Sequence, residues 1–147
     1  MGMIATQAGE PLNILLVEDD DGDAKAVQRA FQKAKIANPV LRAVDGIEAL
    51  EIMRGTNGKA KLLSPCVLLA DLNMPRMTGI QLVEALREDS ELRHTIVFVL
   101  TTSSREQDIK SAYQLNVAGY ILKSTAGQDF LNLVNLVDCY GRIVRLP

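Results

Sequence analysis

Leu12-Asn13-Ile14-Leu15-Leu16-Val17 runs straight into Glu18-Asp19-Asp20-Asp21, with Asp23 just beyond. A short, almost wholly apolar run that stops at a cluster of acids has the pattern of a strand covered on both faces. Working outward, four more such runs follow, at residues 40–44, 66–70, 96–100 and 120–122. Most are solidly apolar. The second is broken by Arg42, which places it at a sheet edge. Helical spacing fills the gaps. Val27, Ala30, Phe31 and Ala34 fall at i, i+3, i+4 and i+7, and Phe130, Leu133, Val134 and Val137 repeat that spacing. Ile47 with Leu50, Leu82 and Val83 with Leu86, and Ile109 with Ala112 and Tyr113 predict three more helices. Asp45 with Glu48, Thr78 with Gln81, Ser103 with Glu106, and Thr125 with Gln128 read as capping-box starts. Strand and helix therefore alternate five times, which predicts an α/β fold with a parallel sheet and helices on both faces. No internal repeat or low-complexity stretch interrupts it. The expected organisation is a tail at 1–10, one domain at 11–140 and a C-terminal arm at 141–147.

Composition narrows the function classes. A chain of 147 residues fits one domain by the usual ~100–200 residues each. At 48% hydrophobic and 23% charged it buries a real core, which excludes a disordered segment. The net charge of −2 and pI near 5.4 leave no basic stripe, so no direct nucleic-acid partner is expected. No apolar run approaches the ~20 residues of a membrane span, and residues 1–10 lack the pattern of a signal peptide. Met1-Gly2-Met3-Ile4-Ala5-Thr6 fits the loose myristoylation pattern, as many unmodified starts do. Cys66 and Cys139 sit inside apolar runs and read as buried thiols of a cytoplasmic protein. The lone His94 has no catalytic motif beside it and reads as a loop or strand-start residue. CxxC and HExxH are absent. Gly55-Thr56-Asn57-Gly58-Lys59 has the wrong spacing for a phosphate loop and reads as surface.

In open α/β sheets the ligand sits at the carboxyl ends of the strands. Glu18 and Asp19 follow the first run, Asp71 the third, Thr101 and Thr102 the fourth, and Lys123 the fifth. Clustered carboxylates raise one another's pKa unless a cation intervenes. A hard divalent ion, Mg²⁺, suits such oxygen ligands. A lysine at the same edge is excessive for a metal alone but makes sense if a phosphoryl group also arrives, and Thr101 would hydrogen-bond that anion. Asp20, Asp21 and Asp23 read more simply as acids at a helix start, with Asp20 the cap.

Four blocks resemble, in order, the signature blocks of two-component response-regulator receiver domains: Leu15-Leu16-Val17-Glu18-Asp19, Asp71-Leu72-Asn73-Met74-Pro75, Leu100-Thr101-Thr102-Ser103 and Tyr120-Ile121-Leu122-Lys123. The likeness covers residues 12–140. Asp-Leu-Asn-Met-Pro, Leu-Thr-Thr-Ser and the closing Arg145-Leu146-Pro147 are similar to single-domain regulators of the bacterial phytochrome type. The resemblance implies a doubly wound, flavodoxin-like (βα)5 fold with strand order 2-1-3-4-5. It implies that Asp71 is the phosphoacceptor and that Glu18, Asp19, Asp71 and the Asn73 backbone carbonyl hold Mg²⁺. Thr101 then matches the switch hydroxyl, Lys123 the lysine that pairs with the phosphoryl group, and Tyr120 the aromatic that reports activation. The implied partner is a sensor histidine kinase, with a bacterial phytochrome as the narrower expectation. Self-phosphotransfer and autodephosphorylation are then the only chemistry, so the chain is not expected to be an enzyme.

One departure stands out. Most receivers follow the lysine with proline in a cis peptide, whereas here Ser124 follows. A non-prolyl cis bond costs ~2.5–4 kcal/mol, so either the loop is trans and Lys123 is aimed differently, or the fold holds an unusual cis bond. Two other functions compete: a pseudo-receiver that binds without phosphorylation, and a Mg²⁺-dependent phosphohydrolase resembling the haloacid dehalogenase group. The latter needs an acid where Asn73 stands. Finally, Leu136, Tyr140, Ile143 and Leu146 extend the apolar surface of the last helix and arm, which suggests a partner surface and a homodimer.

Overall fold

A computed structural model describes residues 3, 5, 10–36, 38–127 and 130–147. Most of the expected tail, including Met1-Gly2, and Gln128 lie outside these residues. The apolar runs form β1 (Asn13–Val17), β2 (Val40–Ala43), β3 (Cys66–Ala70), β4 (Ile96–Thr101) and β5 (Gly119–Leu122). They pair in parallel as β2-β1-β3-β4-β5, the expected doubly wound order, with the Arg42 strand at an edge. Between them lie α1 (Asp21–Lys33), α2 (Gly46–Arg54), α3 (Gly79–Glu88) and α4 (Glu106–Gln114), and α5 (Leu131–Ile143) closes the fold.

Alternate strand side chains point to opposite faces, and this divides the core in two. Leu15, Val17, Leu68, Ala70, Val97 and Val99 meet the buried faces of α2, α3 and α4. Ile14, Leu16, Val67, Leu69, Phe98 and Leu100 meet α1 and α5. Both layers are closed, so the polar ends of the strands are the natural place for chemistry.

Helix starts separate local from tertiary control. Thr78 and Gln81 form the reciprocal capping box on α3. Asp45 caps α2 through the Glu48 N–H, and the Glu48 carboxylate reaches back to the Val44 N–H. Of the other two expected boxes, the one at Ser103 does not form, and the one at Thr125 needs Gln128, which lies outside the described residues. Arg105 is the N-cap of α4, and the Ser103 hydroxyl donates to Asp108 at 2.5 Å instead. Thr125 sits in a 3-10 turn, Lys123–Thr125, and donates to the Leu122 carbonyl at 3.0 Å. Phe130 precedes α5 in a left-handed conformation rather than opening the helix.

The expected arm also changes. α5 runs through Ile143, so the first three residues of 141–147 are helical. Tyr140 meets Phe98 edge-on, with ring centroids 4.9 Å apart, and Leu146 packs on the same core. Leu136 and Ile143 remain exposed. Cys139 is exposed rather than buried, while burial pushes the partly covered Cys66 thiol up to about 11. His94 lies in the exposed turn before β4, and residues 55–58 form an exposed loop after α2.

Candidate functional site

Parallel register carries the strand-end residues to one edge of the sheet. Val17 pairs with Ala70, and Thr101 with Leu122. Glu18 and Asp71 are therefore the next residues on adjacent strands, and the Asp71 N–H donates to the Val17 carbonyl at 3.1 Å. The Glu18 N–H is held in turn by the Ala43 carbonyl of β2 at 3.0 Å. Glu18, Asp71 and Thr101 are among the few buried polar residues of the described chain, at 1%, 8% and 0% exposure, and Asp19 is exposed beside them.

Lys123 ties this edge together. Its ammonium donates to Glu18 Oε1 at 2.6 Å, to Asp23 Oδ2 at 2.6 Å and to Asp71 Oδ2 at 3.1 Å. All three of its N–H donors are used. Burial disfavours this charge, but the hydrogen bonds to Asp23 and Glu18 and the charge on Asp71 outweigh it, so Lys123 stays protonated above the ordinary lysine range. Burial has the opposite result at Glu18. Together with the Asp71 charge it pushes this carboxyl up to about 7, against the pull of Lys123. Ser64–Pro65 is the one cis peptide among the described residues, so Lys123–Ser124 is trans, and Lys123 nonetheless reaches Asp71.

Glu18, Asp19 and Asp71 each offer a carboxylate oxygen, all within 4.8 Å of one another. Three hard oxygen donors at a partly open edge fit a divalent cation such as Mg²⁺ or Mn²⁺, which completes its shell with water. Asn73 is exposed, and its N–H donates to Asp71 Oδ1 at 3.3 Å. The buried Thr101 hydroxyl accepts from the Ser103 N–H at 3.3 Å, and the Tyr120 hydroxyl donates to the Ser103 carbonyl at 2.8 Å. Thr101 on β4 and Tyr120 on β5 thus hold the same loop. Burial raises the Tyr120 hydroxyl above its ordinary value, assisted by Asp108 and Asp71.

Two supports shape the Asp71 loop. Gly79 begins α3 with its N–H on the Leu72 carbonyl, and a Cβ there would lie 2.3 Å from the Asp71 carbonyl oxygen. Arg76, in a left-handed conformation, binds the buried Asp45 carboxylate through Nε at 2.9 Å and through Nη2. Asp20 caps α1 as expected, accepting from the Asp23 N–H at 2.7 Å.

The structure therefore brings together Glu18, Asp19, Asp71 and Lys123 and sets Thr101, Tyr120 and Asn73 around them. Sequence reading missed Asp23, taken as a solvated helix acid, and the Asp45–Arg76 pair. Each depends on a contact spanning at least 31 residues. No periodicity reports such a contact.

The family model for the response regulator receiver domain matches residues 14–135. Response regulator Rcp1 of Synechocystis is 28% identical over 98% of this chain and 99% of its own length. The solved structure of the phosphorylated cyanobacterial phytochrome response regulator RcpA is 31% identical, with TM-score 0.81, and covers 92% of this chain and 97% of that one. The Mn²⁺-bound form of Rcp1 aligns with TM-score 0.78 at 28% identity, over 93% and 99% of the two chains. Receiver domains bind a divalent metal at an acidic pocket and act as signalling proteins rather than as enzymes. This chain belongs to the response-regulator receiver domain family, whose function is to accept a phosphoryl group on an aspartate.

Proposed function

We propose that Asp71 accepts a phosphoryl group from a histidine kinase and that Glu18, Asp19, Asp71 and the Asn73 backbone carbonyl hold Mg²⁺ for this transfer. The observation that carries the reading is Lys123, whose ammonium bridges Glu18 and Asp71 at two adjacent strand ends. An Asp71 carboxylate oxygen attacks the phosphorus of a phosphohistidine. The P–O bond forms, the P–N bond breaks, and the imidazole leaves. When bound, the cation neutralises charge on the transferring group. Lys123 supplies a fixed ammonium to the same charge, so catalysis is positioning and electrostatics. Water later hydrolyses the acyl phosphate, restoring the carboxylate and releasing inorganic phosphate.

The phosphoryl group adds charge and strong acceptor oxygens beside Thr101 and Lys123. Thr101 turning toward them releases the Ser103 N–H, and Tyr120, bonded to the Ser103 carbonyl, moves with that loop. This changes the surface of α4, β5 and α5, a two-state element biased by a local charge. Incubation with Mg²⁺ and acetyl phosphate, read by intact mass, tests the chemistry. One phosphoryl group is expected, lost with Asp71→Asn or with EDTA. A folded wild-type chain that gains none under conditions that trap the adduct overturns the reading.

Similarity to RcpA and Rcp1 supports a bacterial phytochrome-type kinase as the phosphodonor. The exposed Leu136 and Ile143 on α5, one i, i+7 stripe, support a homodimer through this helix. Tyr140 and Leu146 contribute by bracing it on the core. Leu136→Asp with Ile143→Asp is expected to give a monomer by light scattering, with an unchanged circular dichroism spectrum. A wild-type monomer at high concentration overturns the dimer.

A further inference from the structure

Lys123 uses three carboxylates, and these are not equivalent. Glu18 and Asp71 belong to the acidic trio that can hold a cation. Asp23 does not. It stands on the first turn of α1, with a side chain 40% exposed, while the Lys123 side chain is 9% exposed. Its backbone is fixed by the helix cap, because its N–H donates to Asp20 Oδ2 at 2.7 Å. Its carboxylate nevertheless approaches the ammonium as closely as Glu18 does, at 2.6 Å, and closer than Asp71 at 3.1 Å.

Metal binding and phosphorylation act on these partners unequally. Glu18 and Asp71 oxygens are the ones a cation would occupy, and an Asp71 oxygen is the one that becomes part of the acyl phosphate. A bound cation weakens their hold on Lys123, since a charge-assisted hydrogen bond needs a free, charged acceptor, and phosphorylation exchanges the Asp71 carboxylate for phosphoryl oxygens at a new position. Asp23 is the partner left unchanged. A lysine is a compact charge on a flexible four-carbon stem, so without a fixed acceptor it loses its aim.

We propose that Asp23 is a positioning residue that holds the Lys123 ammonium beside the Asp71 pocket throughout metal binding and phosphorylation. The inference rests on the reading of Asp71 as phosphoacceptor. It assigns to the first turn of α1 a part in phosphoryl transfer made through Lys123.

Two readouts on the full-length chain test it, both at saturating Mg²⁺. The first is the rate of adduct formation with acetyl phosphate in the wild type, Asp23→Asn, Asp23→Glu, Lys123→Ala and the Asp23→Asn/Lys123→Ala double variant. Asp23→Asn is expected to slow it roughly ten- to hundredfold, the scale of a misplaced catalytic group. Asp23→Glu is expected to restore most of the rate, and Asp23→Asn to change nothing further once Lys123 is gone, because the two act as one unit. An Asp23→Asn effect that persists in the Lys123→Ala background, or an unchanged rate in Asp23→Asn alone, overturns the proposal. The second readout is the NMR signal of the Lys123 ammonium, expected to be protected from water exchange in the wild type and lost in Asp23→Asn. Protection retained in Asp23→Asn overturns the proposal. A wild type that gains no phosphoryl group while its ammonium signal still depends on Asp23 overturns the phosphoacceptor reading and, with it, the positioning role, leaving a structural ion pair.

Discussion

Asp45 is a buried carboxylate with two tasks. It caps α2 through the Glu48 N–H, and it receives the Arg76 guanidinium from the Asp71 loop. Burial works against its charge, but these hydrogen bonds and the Arg76 charge outweigh it and hold the carboxyl below the ordinary range. A lowered folded pKa stabilises the protein above the unfolded value near 3.8, and that contribution is lost as pH falls through the folded value. Asp45→Ala removes a cap of ~1 kcal/mol and charge-assisted hydrogen bonds of ~1.5–3 kcal/mol. A loss of about 2–4 kcal/mol is expected from urea unfolding at pH 7. The difference between the wild type and Asp45→Ala should shrink on titration below about pH 4. A penalty independent of pH would mean that packing, not the charge, is what Asp45 supplies.

At the scale of elements, the first residue of α3 and the loop that follows β3 approach too closely for any residue but glycine. The Gly79 Cβ position lies 2.3 Å from the Asp71 carbonyl oxygen and 2.9 Å from the Leu72 Cα, both of them backbone atoms that cannot swing aside. The Thr78–Gln81 box fixes where this helix begins, so the clash cannot be relieved by sliding the first turn. Gly79→Ala is expected to cost about 1–3 kcal/mol through overpacking. It also moves the backbone that carries Asp71, so phosphorylation by acetyl phosphate should fall roughly tenfold or more in protein that is still folded by circular dichroism. An unchanged rate would show that α3 tolerates the shift without transmitting it to the site.

On the whole molecule, a cation that binds the folded chain and not the unfolded one stabilises it by mass action, ~2.7 kcal/mol at a hundred times Kd. For a domain of this size that is a rise in Tm of roughly 5–10 °C. Thermal unfolding with Mg²⁺ should show such a rise, EDTA should remove it, and Asp19→Asn combined with Asp71→Asn should abolish it. A rise that survives both substitutions would place the cation elsewhere. The same molecule shows what could be read before folding. Five apolar runs, the three central ones buried on both faces, and the 3.6-residue spacing between them determine the layered α/β architecture, because burial patterns repeat along the chain itself. Glu18, Asp71, Thr101 and Lys123 were legible for a related reason: each stands at or just beyond the end of a run, and parallel strands bring their carboxyl ends to one edge. Local signals failed where a tertiary partner outbid them. Ser103 gave its hydroxyl to Asp108 rather than to a helix cap, and Tyr140 and Leu146 turned from a free surface onto the core. Asp23 and Arg76 were invisible for the same cause. Their roles lie in acceptors and donors 100 and 31 residues away, and only the folded chain decides which distant charge an ammonium or a guanidinium will meet.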